Sequence, residues 1–336
     1  MHLVLGTPGP VAQRVIVELV ARGERVITLE SEILPERWGA MTEEARGVFS
    51  TAVELLPGRS DHIDFGLSGG DYRRLLAEVR HIYLAESGAT LKEHAEDSRL
   101  VRLAAEVREF VSAGGAPEGI TFLSSLLVFG DTSRPVDESE LFVLQGFADK
   151  HEKSLALAEQ IIRSIEPYRA LAIVRTAPIV AEEDYQEVLP GSVFAYLQSA
   201  VRSAGQEFDY VFTDLPTRWE TVERATAALL SVKPAPVVNT LHLVDVDPLT
   251  DRQLVEWLAK RSNKIVRERH GSARAWATLT RSNFAGSRAV RGWGLLFSRS
   301  EAEAQIPDLL DRDEYETLSN IFPDAGAPLG VHTKVR

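Results

Sequence analysis

The chain has 336 residues, of which 44% are hydrophobic and 26% charged, so it is long enough to bury a substantial core. Its net charge of −12 disfavours unspecific binding to nucleic acids and anionic membranes, because their phosphate groups would be repelled. The absence of cysteine excludes disulfides, thiolate nucleophiles and cysteine-ligated zinc. The first predicted strand begins at His2 and no apolar run reaches membrane-spanning length, so we expect a soluble, cytoplasmic protein.

The first thirty residues have the pattern of a strand–helix–strand unit. A short apolar strand at His2–Leu5 is followed by a turn rich in glycine and proline. Apolar residues at helical spacing then predict a helix over Val11–Ala21, and Arg25–Leu29 is predicted as a second strand that ends at Glu30. Because the two strands are joined through a helix, we expect them to lie parallel.

The alternation of helices and short apolar strands continues to about residue 180. Helices are predicted at Asp71–Val79, Asp97–Ser112 and Lys150–Ile165, and strands at Arg80–Leu84, Ile120–Leu123 and Ala170–Arg175. Further along, helices are predicted at Val193–Ser203, Thr217–Leu230 and Asp251–Lys260, and strands that return to the sheet at Tyr210–Thr213 and Val237–Leu243. This pattern predicts an α/β protein with a doubly wound parallel sheet covered by helices on both faces.

The turn after the first strand has the spacing Gly6-x-x-Gly9-x-x-Ala12. The first glycine permits a tight turn, the second lets the backbone approach a pyrophosphate, and a small third residue lets the helix pack on the strand. The amino terminus of the helix then offers free N–H groups to phosphates. We therefore predict a dinucleotide-binding loop formed by Gly6, Pro8, Gly9, Pro10 and Val11. An ordinary turn in another α/β fold remains the alternative.

Glu30 stands at the carboxyl end of the second strand, where an acid can accept hydrogen bonds from the adenosine ribose. A 2′-phosphate would meet its negative charge, so Glu30 favours NAD over NADP, with Ser31 as a second contact. Arg14, Ser31 or Arg37 could offset that charge, so the choice between NAD and NADP stays open.

Several segments in the same order resemble the extended short-chain dehydrogenase/reductase family. They are GTPGPVA at Gly6–Ala12, IYLAES at Ile82–Ser87, FLSSLLVFGD at Phe122–Asp131, KSLALAEQII at Lys153–Ile162 and IVRTAPIV at Ile173–Val180. The segments IDFGLSGGDYRRLLAEVRHIY at 63–83 and NTLHLVDVDPLTDRQLVEWL at Asn239–Leu258 are similar to its thioester-reductase branch. The resemblance implies a Rossmann-type fold and an NAD(P)H-dependent reductase, with further cofactor contacts at Leu84, Ala85, Ala177 and Pro178.

Together, these patterns predict two parts. Residues 1–180, with 208–245 returning to them, are expected to form the Rossmann domain, and residues 181–207 and 246–336 a smaller, mainly helical substrate-binding subdomain. The substrate site is expected at the carboxyl ends of the parallel strands.

The chain departs from the family at the catalytic positions. The resemblance places the family's catalytic serine at Ser125, but aligns His151 with its tyrosine and Leu155 with its lysine, while Ser154 keeps the serine between them. His151 could donate a proton near neutral pH, although a surface histidine without a chemical role is the alternative. Leu155 can neither hold a ribose nor lower the pKa of a neighbouring acid.

This pattern of losses leaves three functions open. The first is a ketoreductase similar to the atypical antibiotic-pathway reductases of the angucyclinone (simocyclinone) type, in which a hydroxyl of a polycyclic substrate supplies the proton. The second is a dinucleotide-binding sensor or scaffold without turnover, and the third a cofactor-independent cyclase or dehydratase. The histidines have no metal-ligand spacing, so we expect no metal site.

Overall fold

The structure is a computed structural model that describes residues 1–6, 10–29, 52–86, 97–130, 136–139, 141, 145–147, 150–165, 169–177, 179–181, 201–210, 212, 220–243 and 250–268. Its strands are β1 (His2–Leu5), β2 (Val26–Leu29), β3 (Val53–Leu56), β4 (His81–Leu84), β5 (Gly119–Ser125), β6 (Leu171–Thr176), β7 (Ile179–Ala181), β8 (Glu207–Tyr210), β9 (Glu220–Thr221), β10 (Asn239–Leu243) and β11 (Ile265–Glu268). Its helices are α1 (Pro10–Ala21), α2 (Gly69–Glu78), α3 (Asp97–Ser112), α4 (Lys150–Arg163), α5 (Val222–Ser231) and α6 (Asp251–Arg261).

Seven strands form one sheet in the order β3-β2-β1-β4-β5-β6-β10, and every pairing in it is parallel. The strands are rich in leucine, isoleucine and valine and are buried on both faces, as a parallel sheet between helix layers requires. This arrangement confirms the predicted Rossmann-type α/β fold. Among the described helices, none has the length and apolar character needed to cross a membrane.

Helices cover both faces of the sheet and bury their apolar sides there. On one face, Leu75 of α2, Leu103 of α3 and Ile162 of α4 belong to one core cluster. On the other face, Val15 of α1 and Leu229 of α5 belong to a second core cluster. The layered packing explains why helical periodicity located these helices correctly, since each has a continuous apolar stripe directed at the sheet.

Side-chain caps set the starts of three helices. Ser68 accepts a hydrogen bond from the amide of Asp71 at the start of α2, and Thr221 accepts one from the amide of Arg224 at the start of α5. At α6 the side chain of Thr250 accepts from the amide of Gln253 while the Gln253 side chain accepts in return, which is a capping box. The cap at Thr221 places the start of α5 after the predicted start at residue 217.

The structure differs from the sequence prediction at several strands. The predicted strand Tyr210–Thr213 overlaps β8 only at Tyr210, and β8 pairs with β11 in a separate two-stranded sheet, not with the main sheet. Residues 211 and 213 lie outside the described residues. The side chains of β8 alternate between exposed and half-buried, whereas a strand inside the main sheet needs two buried faces. The predicted strand at Val237–Leu243 is confirmed as β10, whereas the strands β3, β7, β9 and β11 were not predicted. Most of Val193–Ser203, residues 217–219 and residues 269–336 lie outside the described residues.

Candidate functional site

The strand order reverses between β1 and β4, which lie side by side in the middle of the sheet. From β1 the chain proceeds outward through β2 to β3, and from β4 it proceeds outward in the opposite direction through β5 to β6. Loops that leave the two central strands therefore diverge and open a crevice at their carboxyl ends. In open α/β sheets, ligands bind in this crevice, so it is the candidate functional site.

Gly6, the first residue after β1, is the best-defined element of this crevice. Its φ of +106° is a conformation that side-chain-bearing residues rarely adopt. A Cβ atom at this position would lie 2.7 Å from Cα of Glu86 and 2.8 Å from the carbonyl carbon of Ala85. The amide of Ala85 donates a 2.8 Å hydrogen bond to the carbonyl of Leu5, which holds the two chain segments together. Only glycine fits at this position.

The remaining predicted cofactor residues divide into buried and undescribed positions. Pro10 begins α1, and Val11 and Ala12 behind it are fully buried, so the helix packs closely on the sheet. Leu84, Ala85 and Ala177 are also buried at the ends of β4 and β6. At buried positions the backbone, rather than the side chain, is what a ligand could contact. The predicted contacts Pro8, Gly9, Glu30, Ser31 and Pro178 lie outside the described residues.

Two charged groups near the crevice qualify the predictions. Arg14, considered as a partner for a 2′-phosphate, is almost completely buried and donates a 3.0 Å hydrogen bond to Glu18. Glu86, which the sequence reasoning missed, follows Ala85 directly, and its backbone lies against Gly6. Its Oε1 lies 3.9 Å from Nε of Arg99 in the first turn of α3. An acid directly after a central strand was the signal that could have identified it.

Ser125 is the last residue of β5 and pairs with Thr176 of β6. Its hydroxyl oxygen accepts a 3.2 Å hydrogen bond from the amide of Leu127 and thereby caps the short 3-10 turn over Leu126–Phe129. The hydroxyl itself donates only a long, 3.5 Å bond to the carbonyl of Thr176. The Ser125 hydroxyl proton is therefore weakly held and could be donated to a substrate carbonyl.

The two positions that the sequence aligned with the family's tyrosine and lysine both lie on α4. His151 is in the first turn of this helix, and its side chain is outside the described residues. Leu155, one turn later, is 3% exposed and belongs to the core cluster beneath the helix. Since α4 packs against the turn that follows Ser125, the structure places the helix of His151 next to the strand end of Ser125.

One further turn along α4, Glu159 is at the centre of a buried polar cluster. Its carboxylate accepts hydrogen bonds of 2.6 Å from Nη2 of Arg175 and 2.6 Å from the hydroxyl of Ser124. Arg163 donates to the same carboxylate at 2.9 Å and to the hydroxyl of Thr240 at 2.9 Å. Glu159 and Arg175 are both 0% exposed. The single arginine inside an otherwise apolar strand was a signal for this cluster, because a buried charge requires a partner.

The charges in this cluster keep Glu159 ionised and His242 neutral. Burial would raise the pKa of Glu159, but Arg175, Arg163 and Ser124 together outweigh it and lower this pKa to about 2. Nη1 of Arg175 lies 2.9 Å from Nε2 of His242. A guanidinium can only donate, so Nε2 accepts and the imidazole proton is on Nδ1. Burial, reinforced by the charge of Arg175, lowers the pKa of His242 to about 3, so His242 is neutral.

Comparison with known proteins relates this arrangement to solved reductase and nucleotide-sugar structures. No protein-family model matches the chain, and no curated protein matches it. The terminal R domain of the myxalamid PKS-NRPS pathway superposes with a TM-score of 0.68 at 14% identity, covering 96% of this chain and 89% of that domain. The reductase domain of a nonribosomal peptide synthetase from Mycobacterium tuberculosis gives 0.64 at 16%, covering 95% and 91%. MoeE5, solved with UDP-glucose and NAD, gives 0.60 at 13%, covering 96% and 97%. At these identities the likeness shows that the chain shares their Rossmann-like fold.

Proposed function

We propose that this protein is an atypical NAD(P)H-dependent reductase of the extended short-chain dehydrogenase/reductase type. Its substrate is a ketone of a polycyclic, polyketide-type natural product, and a hydroxyl of the substrate supplies the proton. The observation that carries the proposal is Gly6, whose positive φ and contact with Ala85 and Glu86 form a cradle at the β1–β4 crevice. In keeping with this, the R domains that share the fold are described as reductases, and MoeE5 was solved with NAD.

The cradle suits a dinucleotide because it presents backbone instead of side chains. Gly6 lies against the chain after β4, and α1 begins at Pro10, four residues after Gly6. The first turn of α1 would direct its N–H groups at a pyrophosphate. Reduced nicotinamide, when bound, would supply the hydride. The residues of this chain then have to hold the ketone in place and stabilise the oxygen that becomes an alcohol.

Stabilisation of that oxygen is where this chain differs from the pattern it resembles. Ser125 offers one weakly held hydroxyl proton, while Leu155 is buried in the core and contributes no charge. A ketone with an adjacent hydroxyl or phenol carries its own donor, which compensates for the missing lysine. We propose that this internal donor, not His151, supplies the proton.

A second function is favoured by a specific observation. Leu155 is a packing residue and the oxygen of Ser125 caps the turn at Leu126–Phe129, so both serve the fold in the described structure. A protein that binds NAD(P) as a sensor or scaffold, without turnover, would show these features too.

Calorimetric titration with NADH and NADPH, followed by a panel of aromatic ketones with and without a neighbouring hydroxyl, tests both functions. We expect dinucleotide binding and reduction of the hydroxyl-bearing ketones only. His151→Ala should lose only a few-fold in rate, whereas methylation of the substrate hydroxyl should cost at least about a hundredfold, the typical contribution of a general acid.

Binding without reduction of any ketone would favour the sensor. No binding of either dinucleotide would contradict both functions. A loss of about a hundredfold in His151→Ala, with ketone binding unchanged, would instead identify His151 as the acid.

A further inference from the structure

The short segment Val136–Ser139 is held to the sheet by two hydrogen bonds, both of which Glu138 accepts. The backbone carbonyl of Glu138 accepts a 3.2 Å hydrogen bond from Nη1 of Arg175. The side chain of the same residue accepts a 2.8 Å hydrogen bond from the amide of His242. One residue is thus held through its main chain by β6 and through its side chain by β10. We call this pair of contacts the Glu138 clip.

The clip covers one position on the outer edge of β10. β10 is the last strand in the order. The backbone amide of His242 faces the outer edge of β10, not β6, and donates to Glu138. An unpaired strand edge is normally covered, and here the carboxylate of Glu138 provides the acceptor. Val136 is also buried in the core cluster, so the segment is anchored by apolar packing in addition to hydrogen bonds.

The arginine that holds the clip is itself fixed from several sides. Arg175 is completely buried, donates to Glu159 of α4 and lies 4.7 Å from the centre of the Phe129 ring. Its neighbours across the sheet are Ser124 of β5 and His242 of β10. A side chain held by Glu159 of α4 and His242 of β10 at once has little freedom to move. The position of Glu138 is therefore set by the same residues that join α4 to the sheet.

The location of the clip relates it to the candidate site. Segment 136–139 lies in the chain between Ser125 and His151, at the carboxyl end of β6 and β10. If the adenosine half of the ligand lies over β2, where Glu30 follows, the other half extends from the β1–β4 crevice toward β5 and β6. That direction leads past Ser125 and toward the clip.

We propose that Glu138 is a positioning residue. Through the clip it fixes the segment Val136–Ser139, which forms one wall of the site for the nicotinamide half of the dinucleotide and the ketone. This inference rests on the proposed function. Glu138 acts through the segment it holds and makes no contact with the reacting atoms. Its loss should therefore weaken binding of the nicotinamide half and leave binding of the adenosine and pyrophosphate half unchanged.

The test compares Glu138→Ala with Glu138→Gln in the full chain. Glutamine keeps an oxygen that can accept from the amide of His242, whereas alanine keeps none. Calorimetry gives the affinities for NADH and for ADP-ribose, which lacks the nicotinamide, and hydrogen exchange reports the protection of the His242 amide. We expect the affinity of Glu138→Ala for NADH to fall about tenfold, while its affinity for ADP-ribose stays within about twofold of wild type. The amide of His242 should exchange faster in this variant. Glu138→Gln should resemble wild type in all three.

Several results would overturn the positioning role. One is unchanged NADH affinity in Glu138→Ala despite faster exchange at His242, and another is an equal loss for NADH and ADP-ribose. A glutamine variant as weak as the alanine variant would also contradict it. If wild type binds neither NADH nor ADP-ribose, the proposed function fails, and this result is distinct from the others because no variant is needed to obtain it.

Discussion

The two halves of the sheet use their polar groups differently. In the half formed by β1, α1 and β2, the candidate binding surface is the backbone around Gly6, with the apolar Val11 and Ala12 behind it and one buried ion pair, Arg14–Glu18, further along α1. In the half formed by β5, α4, β6 and β10, charged and polar side chains are abundant, but most of them bond to one another. Glu159, Arg175 and Ser124 form a buried cluster, and the Ser125 oxygen caps a turn.

Under the proposed function, cofactor binding and turnover would depend on separate parts of the molecule. The first half would need only a backbone that a pyrophosphate can approach, as proposed for the cradle at Gly6. The second half would have to supply a proton, yet Leu155, which the sequence resemblance aligns with the family's lysine, is buried in the core. The proposal is that such a protein binds its cofactor while the proton comes from the substrate. Four predictions test how far this separation holds.

The largest expected effect is on stability, at the centre of the second half. Glu159→Leu leaves Arg175 charged and buried without its main partner, so the free energy of unfolding should fall by about 3–5 kcal/mol. Urea denaturation measures this change. The double variant Glu159→Leu/Arg175→Met should recover part of the loss, because both charges are then absent.

Glu118→Ala serves as the control, since Glu118 is 75% exposed and its ion pair with Arg80 is 3.7 Å long. Its free energy of unfolding should stay within about 1 kcal/mol of wild type. An equal loss in the single and double variants would show that the pair itself is not the source of the stability.

The second prediction concerns the first half. In Gly9→Val the new side chain occupies the path of the pyrophosphate, so affinity for NADH should fall at least about a hundredfold while the protein stays folded. Calorimetry measures the affinity, and circular dichroism the fold. Gly70→Ala in α2 is the control, because its nearest neighbour lies 3.7 Å from the added Cβ and nothing has to move. Retained affinity in a folded Gly9→Val variant would exclude the glycine turn as the binding site.

The third prediction is a pH dependence of stability that arises from two buried histidines. Burial lowers the pKa of His81 in β4 to about 4, and burial together with Arg175 lowers the pKa of His242 to about 3. Both are below the usual 6.5, so the unfolded chain binds protons that the folded chain does not. The contribution of these two histidines to the free energy of unfolding is therefore fully present above pH 6.5. It decreases as the pH falls toward 4, by up to about 1.4 kcal/mol per pH unit for each histidine.

Urea denaturation between pH 7 and 4 checks this, and His81→Gln should flatten the profile by the contribution of one histidine. Glutamine keeps a polar group near the hydroxyl of Thr121, to which Nε2 of His81 lies at 2.9 Å. A profile that is the same in wild type and His81→Gln would show that His81 is protonated equally in the folded and unfolded chain.

The smallest expected effect is on cofactor choice. If the carboxylate of Glu30 binds the adenosine ribose, wild type should bind NADH more tightly than NADPH. Glu30→Ala should reduce the ratio of the two affinities by less than about tenfold. Parallel titrations with the two dinucleotides measure this ratio. A wild-type preference for NADPH would show that a basic or hydroxyl group nearby compensates for Glu30.

Much of the fold could be predicted from local pattern. The helices Pro10–Ala21 and Asp97–Ser112 follow from apolar residues at helical spacing, and the parallel sheet follows from their alternation with short apolar strands. The positive φ of Gly6 agrees with the tight turn that the sequence predicted after β1. β3 was missed because its strand, Val53–Leu56, is only partly buried at the far edge of the sheet.

The sequence by itself therefore determined the element types, the parallel sheet and the glycine turn, because each depends on residues close together in the chain. Only the tertiary structure decided the contacts of the second half. Arg175 meets Glu159 across 16 residues and His242 across 67, and no periodicity in the chain specifies such pairings. Likewise, β8 lies outside the main sheet because it pairs with β11, which is distant in the chain. A buried charge requires a partner, but which residue provides it depends on how strands and helices pack.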